Sequence, residues 1–381
     1  MTRKIVVVGW GLAAHRLVTG LLSASTDADV DIEITVYAGE GVTAHDRGAL
    51  PDALAVGVGP GAVAAHTALT AHTALAALPL PVDSRLQVRA GIRATAVDRL
   101  HRVVHGTDHV VEPYDALVLA TGTNPVLPPI RGLRSADNQS LLPGVHPAHS
   151  AADFRALAEA AATASRAVVI GGSANGLRVA AALHAFRKDD PDRPPLHVEL
   201  VDQVPATPEI TPADAYFALR RAGVVAYQDC RVRSLEEGPD GALAAVTLAD
   251  GYRLTTDLAV LTCGTAPNVA LAWTAGLAVA RGVVVDDTLR SVSDPAIYAL
   301  GACAEHRRTL SGHGAVAREQ ADVLAGRLSG REPMRTYRGA AAAAVPAART
   351  ASTTTAAAPH TAPTAGGVVA EAERVLRAAA A

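Results

Sequence analysis

The chain has 381 residues, 49% hydrophobic and 19% charged, with a formal net charge of -3 at neutral pH. That is globular composition with length enough for two domains, each with a core of its own. The near-neutral balance excludes the basic footprint of a nucleic-acid binder, and no stretch has the uninterrupted apolar length of a membrane span, so neither nucleic acid nor membrane is an expected partner.

In chain order, the first element is a strand over Lys4–Val8, "KIVVV", followed by a glycine turn and a helical run from Ala13 to Leu22. The basic, apolar and small residues of this N-terminal stretch are laid out like a secretory signal. His15 and Arg16 interrupt the apolar run, however, and the glycines have another use. "VVVGWGLAA" places Gly9-x-Gly11-x-x-Ala14 after a strand and at the opening of a helix. The first glycine makes a tight turn, the second lets backbone approach a diphosphate, and the third small residue packs helix on strand. The helix N-terminus then faces the phosphate charge. A second strand, Ile32–Tyr37, predicts an acid near its end for ribose hydroxyls; Glu40, just past Gly39, is the candidate.

Residues 55–80 carry a tandem "AHTALT/AHTALA", alanine-rich repetition that predicts a loose helix or loop. Alternation from Leu86 to Val111 predicts strands, with "HGTDH" as a hairpin turn. "YDALVLATGTNPVLPPI" reads as a strand ending at Ala120-Thr121-Gly122 and closed by prolines. A helix over Ala151–Ala164 leads into a second strand–glycine–helix unit, "RAVVIGGSANGLRVAAALHAF", with Gly171-x-Ser173-x-x-Gly176. Serine at the middle position crowds a diphosphate, although its hydroxyl can also donate to one. After the polar insertion "RKDDPDRPP", the strand "LHVELVD" ends at Asp202. An acid there accepts from a ribose 2′-hydroxyl and repels a 2′-phosphate, which favours NADH over NADPH. "DLAVLTCGTAPN", Asp257–Asn268, repeats the earlier strand plan and closes at Gly264; "IYALGACAEH" then brings a strand to Gly301-Ala302. Beyond Arg331 the Ala/Thr/Pro composition predicts disorder, with a short helix over Val368–Ala380 that is marginal alone.

Other chemistries lack their residues. Cys230, Cys263 and Cys303 form no CxxC or CxxxxC pair, which excludes a dithiol motif and a four-cysteine iron–sulfur site and fits a reducing, cytoplasmic setting. His101, His105 and His109 have helical zinc spacing but sit in a strand-like segment, so no metal site is expected. No GxSxG elbow and no GxxxxGK[ST] loop occurs.

Taken with "ITVYAGE", "AHDR", "AVDRLHRVV", "LVLATGTNPVLPPIRG" and "GVVVDDTLRS", the two glycine units and "IYALGACAEH" resemble the FAD-dependent pyridine nucleotide oxidoreductases from residue 4 to about 325. Within that family the flavoprotein module of assimilatory NAD(P)H nitrite reductase large subunits and the rubredoxin and ferredoxin reductases are the most similar in pattern. The resemblance implies an α/β fold of two nested Rossmann-like dinucleotide-binding domains. An FAD domain would span 1–149 and 281–330, an NAD(P)H domain 150–280, and a mostly disordered tail 331–381. It implies that Gly9, Gly11 and Ala14 hold the FAD diphosphate, Glu40 its adenosine ribose, and that Thr121-Gly122 passes beside FAD. Arg47 would lie on the flavin side, Gly301-Ala302 by the ribityl and diphosphate, and Glu319-Gln320 would start a helix aimed at the flavin ring. Gly171, Ser173, Gly176 and Asp202 would meet NADH, with Gly264 closing that domain.

Three departures stand out. The family places an acid where this chain has Ala302. Its "GGGxxGxE" reads "GGSANGLR", with Ser173 and Arg178, and its C-terminal interface domain is replaced by the tail. A hydrogen bond to a carboxylate is worth ~1.5–3 kcal/mol, about 10- to 150-fold in affinity, so FAD is expected to be held more loosely than in relatives. Sirohaem and iron–sulfur sequences are absent, so the implied activity is electron transfer from NADH through flavin to a protein acceptor, a nitrite reductase subunit or an iron–sulfur protein. No side chain is assigned as catalytic. The rival readings are a degenerate, weakly binding scaffold or regulator, and a reductase of quinones or oxygen.

Overall fold

The computed structural model describes residues 2–24, 31–55, 76–135, 137, 139–186, 194–203, 213–312 and 314–339. The "AHTALT/AHTALA" tandem except its last residue, Ala76, most of the "RKDDPDRPP" insertion and the expected 368–380 helix lie outside them. The described chain divides into two compact units. One takes its residues from Met1–Asp46, Ala77–Asn124 and Ala266 onward; the other from Arg47–Ala76 and Pro125–Thr265.

The first unit is built on a five-stranded parallel sheet. Its spatial order is Ile297–Ala299, Ala116–Leu119, Arg3–Val8, Ile32–Ala38, Leu86–Ala90. In chain order that is 5-4-1-2-3, the doubly wound arrangement in which ligands bind beyond the carboxyl ends of the strands where the order reverses. Here the reversal falls between Arg3–Val8 and Ala116–Leu119. Both strands are continuous apolar runs, because a parallel sheet is covered on both faces; Ile5, Val7, Ala116, Leu117 and Val118 are fully buried. Helix Leu12–Ala24 buries Ala14, Leu17, Val18, Leu21 and Leu22, one stripe at helical spacing. Burying each of its leucines contributes ~1.5–3 kcal/mol. This helix packs on helix Gly314–Leu328 so closely that a Cβ on Gly20 would stand 2.9 Å from Ala325 Cβ. An antiparallel sheet, Ala94–Asp98, Val103–Gly106 and Val111–Pro113, turns at the "HGTDH" stretch, where His109 takes a left-handed backbone at φ 63°. Residues 331–339 also belong to this unit: Tyr337 is buried, its ring 4.8 Å from that of His306, and its amide donates to Asp287 O.

The expected helix start at Glu319-Gln320 needs correction. The helix begins at Gly314, so both residues lie in its second turn. Glycine reads as a poor helix former, but a Cβ at Gly314 would stand 3.2 Å from Leu12 Cδ2, so tertiary proximity overrides propensity.

The second unit repeats the plan. Its parallel sheet runs Val145–Pro147, Leu258–Leu261, Arg166–Ile170, His197–Asp202, Val225–Gln228. Helix Ala151–Thr163 opens on a capping box, with Ser150 Oγ accepting from Asp153 N and Asp153 accepting from Ser150 N. Helix Ala174–Ala185 follows the central strand, and an antiparallel trio, Val232–Glu237, Leu243–Leu248 and Arg253–Thr255, flanks the sheet.

Candidate functional site

Three backbone segments of the first unit converge where its strand order reverses. Gly9 has φ +105°, and a Cβ there would fall 2.2 Å from Ala120 O. Only glycine lets the chain turn so close to the neighbouring strand. Gly9 N donates to Tyr37 O at 3.0 Å, which ties the turn to the next strand. At Gly11, by contrast, a Cβ would meet nothing within 4 Å. Among the described residues its bareness makes room for no protein side chain and leaves an open cradle at the helix N-terminus. No acidic residue stands in that first turn to compete for the helix's positive end. Ala14 is fully buried against the strands.

Alongside run Ala120, Thr121 and Gly122, the last at φ +67°; Thr121 Oγ1 donates to Asn268 O at 2.6 Å. Gly301, at φ +75°, brings the third segment in, where a Cβ would stand 3.1 Å from Ala13 Cβ. Ala302 follows it, half-buried. The Gly301 amide donates to Oε1 of Gln320 at 2.7 Å, and Gln320 is itself buried. The sequence offered no signal for this role of Gln320, because its partner lies on another element. Glu40 is exposed in the turn that follows Ile32–Ala38. Beside it, the Trp10 indole N–H donates to Val42 O at 2.9 Å, spanning from the glycine turn to the acid's turn. An adenine dinucleotide fits this arrangement: an open glycine at a helix N-terminus for the diphosphate, and an exposed acid at the end of the second strand for a ribose.

In the second unit, Gly171 has φ +116° and a Cβ there would fall 2.6 Å from Thr262 O, repeating the relation of Gly9 to Ala120. Gly176 lies so close to Gly171 O that a Cβ would stand 2.0 Å away. Between them Ser173 is the N-cap of helix Ala174–Ala185, its Oγ accepting from Gly176 N at 3.3 Å. Asp202 ends its strand buried, and its Oδ2 accepts from the Tyr216 hydroxyl at 2.5 Å. Burial, reinforced by that carboxylate, holds the Tyr216 hydroxyl well above the usual phenol range. Gly264, φ +98°, has open space around it, and its carbonyl accepts from Val126 N.

Arg178, where the family has an acid, pairs with Asp52 at 2.9 Å, reaching helix Leu50–Ala55. Arg47 Nη1 lies 2.9 Å from His149 Nε2. All three cysteines are free. Burial pushes the Cys263 thiol up to about 11 and raises that of fully buried Cys303. Among the described residues no group of three or more His, Cys, Asp or Glu side chains is placed to hold a metal, and no helix is long and apolar enough to cross a membrane.

Residues 3–321 match the pyridine nucleotide-disulphide oxidoreductase family. The chain is 30% identical over 340 residues to the nitrite reductase (NADH) large subunit of Escherichia coli (strain K12), covering 86% of this chain and 36% of that protein. It is 34% identical over 226 residues to rhodocoxin reductase of Rhodococcus erythropolis, covering 59% and 50%. It therefore spans about a third of the nitrite reductase and half of the rhodocoxin reductase. The solved covalent complex of putidaredoxin reductase with putidaredoxin superposes with a TM-score of 0.70 at 28% identity, covering 86% of this chain and 75% of that one.

Proposed function

The chain belongs to the pyridine nucleotide-disulphide oxidoreductase family, and from that membership we propose that it is an FAD-dependent NAD(P)H oxidoreductase that delivers electrons to a protein acceptor. Bound FAD would supply the chemistry, accepting one hydride, and with it an electron pair, and releasing the electrons singly. The chain's residues supply orientation. Gly9 and Gly11 hold the diphosphate while Ala14 packs the helix on the strands beneath them, Glu40 takes the adenosine ribose, and Thr121-Gly122 and Gly301-Ala302 lie along the rest of the cofactor. The first unit takes FAD; the second takes the pyridine nucleotide through Gly171, Ser173, Gly176, Asp202 and Gly264, with NADH preferred. Arg47 lies toward the flavin.

The observation that carries this reading is the open space at Gly11, where an added Cβ would meet no atom of the described residues within 4 Å. The acceptor is a partner protein, and three free, widely spaced cysteines are compatible with that, giving no dithiol within the chain. An iron–sulfur protein or a nitrite reductase subunit is that partner, a role supported by the relatives named nitrite reductase and rhodocoxin reductase. Anaerobic titration with NADH, followed at the flavin absorbance band and then by ferricyanide reduction, tests it. FAD-loaded protein that NADH does not bleach would refute the reading. Ala302 favours a second reading, a nucleotide-binding scaffold without turnover; a colourless protein that also refuses added FAD would support that one.

A further inference from the structure

The second unit already makes, with its own side chains, the polar contacts that a pyridine nucleotide would make there. In a strand–glycine–helix unit a ribose hydroxyl donates to the acid ending the second strand, and the diphosphate accepts from amides at the helix N-terminus. Here the Asp202 carboxylate accepts from Tyr216 at 2.5 Å, and the Gly176 amide donates to Ser173. The Tyr216 hydroxyl is also seated on the glycine turn itself. A Cβ on Gly172 would lie 2.1 Å from Asp202 Oδ2 and 2.2 Å from the Tyr216 hydroxyl oxygen. Both side chains are buried, Asp202 at 5% and Tyr216 at 3% exposure, so a ribose reaches this carboxylate only by displacing something. Tyr216 stands on helix Ala213–Ala222, a separate element from the turn it closes.

We propose that the Tyr216 hydroxyl is an internal mimic of a ribose hydroxyl, occupying Asp202 so that a ribose 2′-hydroxyl reaches that carboxylate only by displacing it. Ser173 plays the matching part at the helix N-terminus, its hydroxyl oxygen standing where a diphosphate oxygen would accept. Its backbone, φ -60° and ψ 164°, is ordinary for an N-cap, so the serine is accommodated without strain. The inference rests on the reading of the second unit as the pyridine-nucleotide half and adds its specificity. Displacement rewards a ligand that can donate to Asp202. The 2′-hydroxyl of NADH can, and the 2′-phosphate of NADPH cannot.

The test is binding of NADH, ADP-ribose and NADPH to the full chain by titration calorimetry, in the wild type, Tyr216→Phe and Ser173→Gly. Tyr216→Phe removes one oxygen and keeps the ring. It should tighten NADH and ADP-ribose about tenfold and leave NADPH unchanged. Ser173→Gly should tighten all three ligands. Unchanged or weaker NADH binding in Tyr216→Phe overturns the proposal, since the tyrosine would then be holding Asp202 in place for the ribose. Equal gains for NADH and NADPH overturn it as well, as does absence of nucleotide binding in both wild type and variants. Should Tyr216→Phe fail to fold, the wild type decides. ADP-ribose must shift the near-ultraviolet tyrosine absorbance as the hydroxyl leaves its carboxylate, and saturation without that shift overturns the proposal. None of these measurements needs flavin. A chain that takes up FAD and fails them loses only this inference; one that passes them and refuses FAD loses only the oxidoreductase assignment.

Discussion

Replacing Gly11 by alanine separates a glycine kept for a ligand from one kept for the fold. Without ligand, the added methyl meets nothing within 4 Å among the described residues, and Gly11 has no left-handed backbone to strain. Reducing unfolded-chain entropy should stabilise the apoprotein by ~0.4–1 kcal/mol, raising its melting temperature by about 1–3 °C. With FAD present the same methyl stands in the diphosphate's path. Overpacking of that kind costs ~1–3 kcal/mol, a weakening of roughly 5- to 150-fold. Gly9→Ala should behave in the opposite way. Its Cβ would lie 2.2 Å from a backbone oxygen, at φ +105°. The strain alone is ~1–3 kcal/mol, enough to lower the apoprotein melting temperature by about 3–10 °C. Thermal unfolding followed by circular dichroism measures the first quantity, and quenching of flavin fluorescence on titration the second. A Gly11→Ala protein that binds FAD as tightly as the wild type would refute the placement of the diphosphate against this turn.

Ala302→Asp should restore a charge-assisted hydrogen bond and tighten FAD by about 10- to 150-fold; an unchanged dissociation constant would show that position 302 does not face the cofactor. Gln320→Leu strips the buried Gly301 amide of its acceptor. It should cost ~1–3 kcal/mol, seen as a lower melting temperature even without flavin; a neutral result would mean that the amide finds another partner. At pH 8 the Cys263 thiol, pushed up to about 11 by burial, is ionised in only about one molecule in a thousand, against about a quarter for an ordinary thiol. Iodoacetamide should therefore label Cys263 some hundredfold more slowly than a free cysteine, the rate climbing as pH approaches 11. Peptide mapping that shows fast labelling at neutral pH would contradict its burial.

Much of the fold could be read from the sequence because its signals are short-range. A parallel strand buried on both faces is an apolar run, and "IVVV" and "ALVL" are such runs. Turns that need left-handed backbone call for glycine, and Gly9, Gly122, Gly171, Gly264 and Gly301 all have positive φ. The capping box at Ser150 and the stripe of helix Leu12–Ala24 are likewise written within a few residues of one another. Even the loss of the middle glycine of the second unit is visible as Ser173.

What only the tertiary structure decided is which side chains are spent on one another. Gln320 and Gly301 are 19 residues apart, Tyr216 and Asp202 14, Arg178 and Asp52 126, Arg47 and His149 102. No periodicity or turn rule reaches across such separations, because the partner is chosen by how helices and strands come together. For the same reason the helix carrying Gln320 starts at Gly314 and not five residues later. Local backbone preference fixes where the chain turns; the free energy of burying a polar group makes it find a partner, and packing alone settles which partner stands close enough.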